Sequence, residues 1–159
     1  MKVIPIHYTP SLPVTNWLAI EQEANEMTRL VRDQGEMYAL HHCQVSEKPF
    51  NFFVIADVEM LLPIIEDLGS RFIVNPRIIS SLGGSEMDVI EGCVSFPYRK
   101  QKYVNRAMII RVEYDIPDPT APGGLAHKEK EVERVVAQIF QHEADHAEGK
   151  NIYFNSIKK

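Results

Sequence analysis

The stretch at residues 131–147 is EVERVVAQIFQHEADHA, and the spacing within it guides the interpretation of the whole chain. We predict a helix over 131–147, because Glu131 and Glu133 would lie in a first turn where acidic side chains suit the helix dipole. Gly149 follows as a typical C-terminal stop. Side chains three and four positions apart form one inward-facing stripe: Val135, Ile139, His142 and His146.

The run His142-Glu143-Ala144-Asp145-His146 follows the pattern H-E-x-x-H. Two histidines four positions apart project from one helix face, so both imidazoles can bind the same metal ion. Glu143 would lie close enough to take a proton from a water molecule at that ion. The alternative is a helix on which both histidines are ordinary core or surface residues without a ligand.

A catalytic metal site needs a third protein ligand and one open position. No residue downstream of the motif is a suitable third ligand. Ile152 occupies the position where some zinc proteases have a third histidine. Glu148 is two residues past His146, so it points away from the histidine face. The best upstream candidate is Cys93, because thiolate and imidazole together suit a borderline-soft divalent metal. Otherwise Cys93 is a buried structural thiol.

The rest of the chain predicts one helix near the N-terminus and then several strands. The helix spans 16–34, is capped by Thr15 or Asn16, and ends at Gly35. Its apolar face consists of Trp17, Ile20, Ala24, Met27, Leu30 and Val31.

Runs of β-branched and aromatic residues predict three strands, at 50–55, 72–74 and 104–114. Two dipeptides that break strands predict turns, Asn75-Pro76 and Gly83-Gly84. Residues 115–124 are predicted to form a loop, because they include three prolines and two glycines. The order of helix, strands and helix indicates an α+β fold with mixed or antiparallel strands.

Composition excludes several classes of function. The 159 residues include 17 Lys and Arg against 22 Asp and Glu, which argues against a nucleic-acid or anionic-membrane partner. Hydrophobic residues make up 45 %, enough for one globular core, and no apolar run approaches the ~20 residues of a membrane span. The N-terminus lacks the features of a signal peptide. We therefore expect one cytoplasmic domain over residues 1–159.

Two motifs, in this order along the chain, resemble those of peptide deformylases. Residues 91–95, Glu-Gly-Cys-Val-Ser, resemble the family pattern E-G-C-x-S. Residues 141–149, QHEADHAEG, resemble the pattern Q-H-E-x-D-H-x-x-G. Two flanking stretches agree as well, Ile-Val-Asn-Pro at 73–76 and Val-Asn-Arg at 104–106.

The chain departs from the family pattern in two places. The first family motif, G-x-G-L-A-A-x-Q, is altered to MYALHHCQ at 37–44, which keeps only Leu40 and Gln44. The sequence also ends at Lys159, so we expect it to lack the further helix that many members carry after the metal-binding helix. In this respect it resembles divergent or phage-type deformylases.

The resemblance implies a hydrolase that removes the formyl group from N-formylmethionyl peptides and releases formate. It implies that Cys93, His142 and His146 bind one divalent metal ion, iron(II) first, with zinc, nickel or cobalt as substitutes. Glu143 would act as general base and then as the acid that protonates the leaving amine. Nascent peptides, including those at the ribosome, would be the partners, with no direct nucleic-acid binding and no membrane.

The resemblance also assigns two donors to the oxyanion, the Gln44 side chain and the Val94 backbone N–H. If the altered first motif displaces Gln44, His41 or His42 would be the replacement donor. A pocket for the methionine side chain would be lined by Leu40, Val89, Val135 and Ile139.

Three points stay open at this stage. Arg106 either pairs with Glu91 or is exposed, and Asp145 either supports the site or is a solvated acid. The altered first motif leaves a catalytically silent binding relative as one alternative function. A structural zinc domain, with Cys43 as fourth ligand, is the other.

Overall fold

The computed structural model describes residues 1–4, 9–34, 37–82, 86–93 and 101–150. In chain order its elements are α1 (Glu21–Gln34), β1 (Ala39–His41), β2 (Phe52–Ile55), α2 (Leu62–Leu68), β3 (Phe72–Ser81), β4 (Glu86–Glu91), β5 (Lys102–Ala107), β6 (Ile109–Pro117), β7 (Leu125–Glu133) and α3 (Val135–Ala147). Short 3₁₀ turns lie at Trp17–Ala19, His42–Gln44, Glu59–Leu61 and Pro122–Gly124. None of the helices in these ranges has the length and apolar character needed to cross a membrane.

Five strands form an antiparallel sheet in the order β1-β2-β3-β6-β7, and β4 and β5 form a separate antiparallel hairpin. Helix α3 contacts strands of the main sheet and also β5 of the hairpin, so it joins the two sheets. This arrangement confirms the predicted α+β fold, with antiparallel strands and the histidine-bearing helix near the C-terminus.

The first helical segment buries the face that its sequence predicts. Its buried apolar side chains are Trp17, Ile20, Ala24, Met27 and Val31, with Leu30 partly buried beside them. Asn16 caps the opening 3₁₀ turn by accepting the Leu18 N–H at 3.1 Å, and α1 begins at Glu21. Gly35, the predicted stop, lies outside the described residues.

Aromatic side chains connect α3 to the sheet. Phe140 packs edge-to-face on Phe53 of β2, with ring centroids 5.5 Å apart, and it contacts Tyr114 of β6 at 5.7 Å. Tyr114 is buried, and its hydroxyl donates to the Leu68 carbonyl at 2.8 Å. Such aromatic pairs contribute both buried area and defined geometry. They therefore fix the helix that carries both histidines.

The helix predicted over 131–147 begins later, at Val135. The predicted first-turn residues Glu131 and Glu133 belong instead to β7, which pairs with β6 along its whole length. This pairing outweighs the local helix preference, because propensity is only a weak bias. The chain turns from β7 into α3 at Arg134, whose φ is 55°.

The strand predicted at 104–114 is two strands of different sheets, separated at Met108. β5 pairs with β4, whereas β6 pairs with β3 and β7. The loop predicted at 115–124 also begins later, because β6 continues to Pro117. A proline is tolerated at the end of a strand, where its missing N–H disrupts little of the ladder.

The turn predicted at Asn75-Pro76 is instead an irregularity within β3, with a register shift against β6. Asn75 has a φ of 49°, a conformation that asparagine adopts more readily than most residues. Its side chain accepts the Val14 N–H and donates to the Val14 carbonyl, both at 2.8 Å, which fastens the N-terminal segment to the sheet. Gly83-Gly84 lies outside the described residues.

Candidate metal centre

Three potential ligand atoms from two parts of the chain converge at one point. Cys93 Sγ lies 3.5 Å from His146 Nε2, and the Nε2 atoms of His142 and His146 are 3.1 Å apart. All three ligand atoms lie within 4.8 Å of one another. Cys93 comes just after β4, and both histidines lie on α3. The fold therefore brings together the three residues that the sequence nominated as ligands.

The spacing and chemistry of these atoms fit one divalent ion. For tetrahedral bonds of about 2.0 Å to nitrogen and about 2.3 Å to sulfur, the nitrogens would lie about 3.3 Å apart and the sulfur about 3.5 Å from each. Thiolate with two imidazoles is a donor set for borderline-soft metals. Cys43 is not in this group, which contains three donors among the described residues. The arrangement thus favours an open site over a closed four-ligand one.

The end of α3 holds the second histidine in place. Gly149 has a φ of 79°, and its N–H donates to the His146 carbonyl at 3.0 Å. The Lys150 N–H donates to the Asp145 carbonyl at 2.7 Å. These two bonds complete a Schellman termination, which needs a left-handed residue and so favours glycine. The predicted stop at Gly149 is confirmed.

The side chain of Gln141 docks α3 against the hairpin. Its Oε1 accepts the Ala107 N–H at 2.9 Å, and its Nε2 donates to the Ala107 carbonyl at 2.8 Å. Ala107 is the last residue of β5. This amide therefore sets the distance between α3 and the hairpin whose other strand leads into Cys93. The sequence indicated Gln141 only as a letter of a family motif, with no mechanical role.

A buried charge network supports the first histidine. Arg106 donates to both carboxylate oxygens of Glu91, at 2.9 and 2.7 Å, and to Asp145 Oδ2 at 2.8 Å. Glu91 Oε1 lies 2.7 Å from His142 Nδ1. A proton on Nδ1 donates to this carboxylate, which turns the Nε2 lone pair toward the other ligand atoms. The sequence left open whether Arg106 pairs with Glu91 or is exposed, and in the structure it pairs with Glu91.

The ionisation of these groups follows from their contacts. Burial raises the pKa of Glu91, but hydrogen bonds from Arg106 and His142 more than offset it and bring the pKa to about 2. For His142, burial lowers the pKa, but hydrogen bonds with Cys93 and Glu91 outweigh this effect and raise the pKa to about 10. Burial and the neighbouring His142 hold the pKa of His146 well below its usual range. Without a metal ion, His142 therefore holds a proton while His146 stays neutral, so a proton and a metal ion would compete for the cluster.

Glu143 is a buried carboxyl group that follows His142 directly in α3, and its charge acts on that imidazole. It is 3 % exposed, and burial raises its pKa to about 7. Its Oε2 has no hydrogen-bond partner among the described residues. A buried carboxyl oxygen without a protein partner is available for a water molecule or substrate. A pKa near neutrality suits a group that both takes and gives a proton.

Gln44 lies against the same cluster. It ends the 3₁₀ turn His42–Gln44, which follows β1 directly. Its Oε1 accepts the His41 N–H at 2.9 Å, and its Nε2 donates to Cys93 Sγ at 3.6 Å. The amide N–H₂ group therefore points toward the candidate ligands, although the first motif around it is altered.

Both histidines of the altered motif are buried, which the sequence did not predict. Adjacent residues of a strand point to opposite faces, but here β1 ends at His41 and the 3₁₀ turn begins at His42. His42 Nδ1 accepts the Phe50 N–H at 2.9 Å, and its Nε2 lies 2.6 Å from Glu23 Oε2. Burial lowers the pKa of His41 to about 3, so its imidazole is neutral.

The four residues predicted to line the substrate pocket differ in burial. Leu40 is fully buried and Ile139 is 5 % exposed, and both belong to the core. Val89 is partly buried on the hairpin. Val135 is 41 % exposed, so the predicted inward stripe is wrong at this residue. Helical side chains lean toward the N-terminus, and at the first residue of α3 there is no preceding turn to cover. Val94, predicted as an oxyanion donor, lies outside the described residues.

Comparison with known proteins shows the family to which the chain belongs. The family model described as polypeptide deformylase matches residues 5–159. A peptide deformylase of Thermus thermophilus is 28 % identical, over 98 % of this chain and 79 % of that protein. A solved peptide deformylase from Plasmodium falciparum superposes with a TM-score of 0.81 at 22 % identity, covering 99 % of this chain and 87 % of the other. That from Thermotoga maritima gives 0.76 at 22 %, covering 99 % and 100 %. The chain belongs to the polypeptide deformylase family.

Proposed function

We propose that this protein hydrolyses the formyl group from N-formylmethionyl peptides and releases formate. The family supports the reaction class, since the match spans nearly the whole chain. The observation that carries the proposal is the three-donor cluster, together with Glu143, a buried acid that interacts electrostatically with His142 and whose pKa burial raises to about 7. Metal-assisted hydrolysis of an amide bond uses these two components, an electrophilic centre and a group that transfers protons.

Cys93, His142 and His146 would hold the divalent metal ion that the family implies. Iron(II) is the ion we propose for the native enzyme, with zinc, nickel or cobalt as substitutes, because one thiolate and two imidazoles accept each of them. When bound, such an ion polarises the formyl carbonyl and lowers the pKa of water toward about 7. Glu91 supports the set by accepting the His142 Nδ1 proton at 2.7 Å.

Glu143 is the proton carrier in this proposal. As a carboxylate it accepts a proton from the attacking water, and the resulting acid then protonates the amine nitrogen that leaves. The unpartnered Oε2 atom supports this assignment, because the described part of the chain holds no other group that competes for it.

Gln44 is the proposed donor to the oxygen of the tetrahedral intermediate. Its Nε2 lies beside Cys93, and its Oε1 is held by a backbone N–H, so the amide is fixed before the reaction. A preorganised donor of this kind typically contributes ~3 kcal/mol to transition-state stabilisation. The Val94 N–H is the proposed second donor.

The substrates we propose are nascent chains that begin with formylmethionine, met in the cytoplasm as they leave the ribosome. The proposal is tested by formate release from a formylmethionyl peptide, with protein loaded with iron(II) under anaerobic conditions. An acetylmethionyl peptide is the control substrate, and Glu143→Gln is the control protein. Binding of the formyl peptide without formate release from the loaded wild type would support the silent relative instead.

A further inference from the structure

We propose that His41 is a positioning residue, whose imidazole caps the turn His42–Gln44 and thereby holds the Gln44 amide against Cys93. The inference rests on the proposed function, because it assigns a purpose to the amide orientation. It concerns a residue of the altered first motif, where a bulky aromatic side chain lies wholly buried beside the cluster.

The turn is closed by two reciprocal hydrogen bonds. The Cys43 N–H donates to His41 Nδ1 at 3.1 Å, and the His41 N–H donates to Gln44 Oε1 at 2.9 Å. The second bond settles the amide orientation, because a backbone N–H requires an acceptor and so selects Oε1. Nε2 is left on the side of Cys93 Sγ, 3.6 Å away.

The other imidazole nitrogen anchors the turn to the sheet region. Because Nδ1 accepts a hydrogen bond, the neutral ring carries its proton on Nε2, which lies 3.3 Å from Asn51 Oδ1. The backbone of Asn51 is itself fixed, since its N–H donates to the Leu12 carbonyl at 2.7 Å and its carbonyl accepts the Asn75 N–H at 2.8 Å. The His41 ring thus joins a rigid part of the sheet to the turn that carries Gln44.

The same contacts exclude two simpler roles for His41. Its ring centroid lies 6.4 Å from that of His146, close to the candidate ligands. Both nitrogens, however, are already engaged by Cys43 and Asn51, so neither is available as a ligand or as a donor to an oxyanion. His41 therefore acts through Gln44.

Two substitutions separate the two nitrogens. His41→Asn places an amide oxygen near the position of Nδ1, so it keeps the cap and loses the contact with Asn51. His41→Gln reaches the position of Nε2 and lacks the acceptor for the Cys43 N–H. His42→Asn is the matched control in the same turn, because the two nitrogens of His42 contact Phe50 and Glu23 instead.

We expect His41→Gln to lower kcat by about tenfold or more, with KM and bound metal little changed, as for a weakened transition-state donor. His41→Asn should retain most of the wild-type kcat, and the kcat of His42→Asn should stay close to that of the wild type. In a Gln44→Leu background, His41→Gln should cause no further loss, since the residue through which it acts is gone. Additive losses, or equal losses in the Asn and Gln variants, would overturn the proposal.

A second measurement does not depend on activity. In metal-free protein, ¹H–¹⁵N correlation spectra should place the His41 proton on Nε2 and resolve the Gln44 side-chain amide. That amide signal should shift in His41→Gln and return toward the wild-type position in His41→Asn. An unmoved signal in folded His41→Gln would contradict the inference. If wild type released no formate, the proposed function would fail while this spectrum still tested the His41–Gln44 coupling.

Discussion

Replacing Glu91 by glutamine removes one negative charge from the buried network while keeping the shape of the side chain. The network lowers the pKa of Glu91 from 4.5 to about 2 against the opposing effect of burial. Each pKa unit corresponds to about 1.4 kcal/mol, so we expect Glu91→Gln to lower the unfolding free energy of metal-free protein by about 3 kcal/mol at neutral pH. Breaking a buried ion pair while the partner charge of Arg106 remains typically costs a similar ~3–5 kcal/mol.

The pH dependence of this loss has a definite sign. The folded-state pKa of Glu91 is depressed, so the ionised carboxylate contributes its full stability above the ordinary value of 4.5. That contribution is lost as the pH falls through the folded pKa of about 2. The difference between wild type and Glu91→Gln should therefore be largest near neutrality and shrink as the pH falls below 4.5.

Urea unfolding of the metal-free proteins at pH values on either side of this window measures both effects. Glu129→Gln is the matched control, because its partner Arg111 is exposed and such surface pairs contribute little. Glu91→Gln should also weaken metal binding by roughly 10–100-fold, since Glu91 orients His142. A variant within about 1 kcal/mol of wild type at neutral pH, with unchanged metal affinity, would refute the reasoning.

Three further substitutions test the proposed roles. Cys93→Ala should lose most bound metal and, with it, thermal stability, because metal binding is coupled to folding; a full equivalent of metal at unchanged affinity would rule out the ligand assignment. Glu143→Gln should keep its metal and lose at least ~10²-fold in activity, the usual scale for a proton-transfer group, and near-normal turnover would exclude that role. Gln44→Leu should lower kcat by ~10²-fold or more with metal content unchanged. A normal kcat in Gln44→Leu would require another donor.

The parts of the fold that local chemistry determines could be predicted from the sequence. The stop at Gly149 depends on one left-handed residue, and the buried face of α1 depends on spacing within a single helix. The alignment of His142 and His146 on one face likewise follows from helix geometry. Each of these features requires no knowledge of distant residues.

The secondary-structure predictions were wrong where pairing with a distant strand overrides the local conformational preference. Residues 131–133 are acidic and helix-compatible, yet they complete β7 because β6 offers them a partner. Residues 104–114 contain no proline or glycine that would mark a break, yet the two halves join different sheets. Asn75 resembles a turn residue, but its positive φ occurs at an irregularity within β3. Its side chain there forms hydrogen bonds to the backbone of Val14. No window of sequence contains the partner strand that decides these cases.

The altered first motif illustrates how a site tolerates bulky replacements. In a continuous strand, two adjacent histidines would point to opposite faces of the sheet. Here β1 ends at His41 and the 3₁₀ turn begins at His42, so both side chains can be buried. One ring then lies near His146 on α3, and the other contacts Glu23 on α1 and stacks on Phe52 at 4.8 Å. Each of the four ring nitrogens has a partner, so neither histidine leaves a buried polar atom unsatisfied. Because the replacements close the turn and leave Gln44 beside Cys93, the alteration of this motif is not by itself an argument for a silent protein.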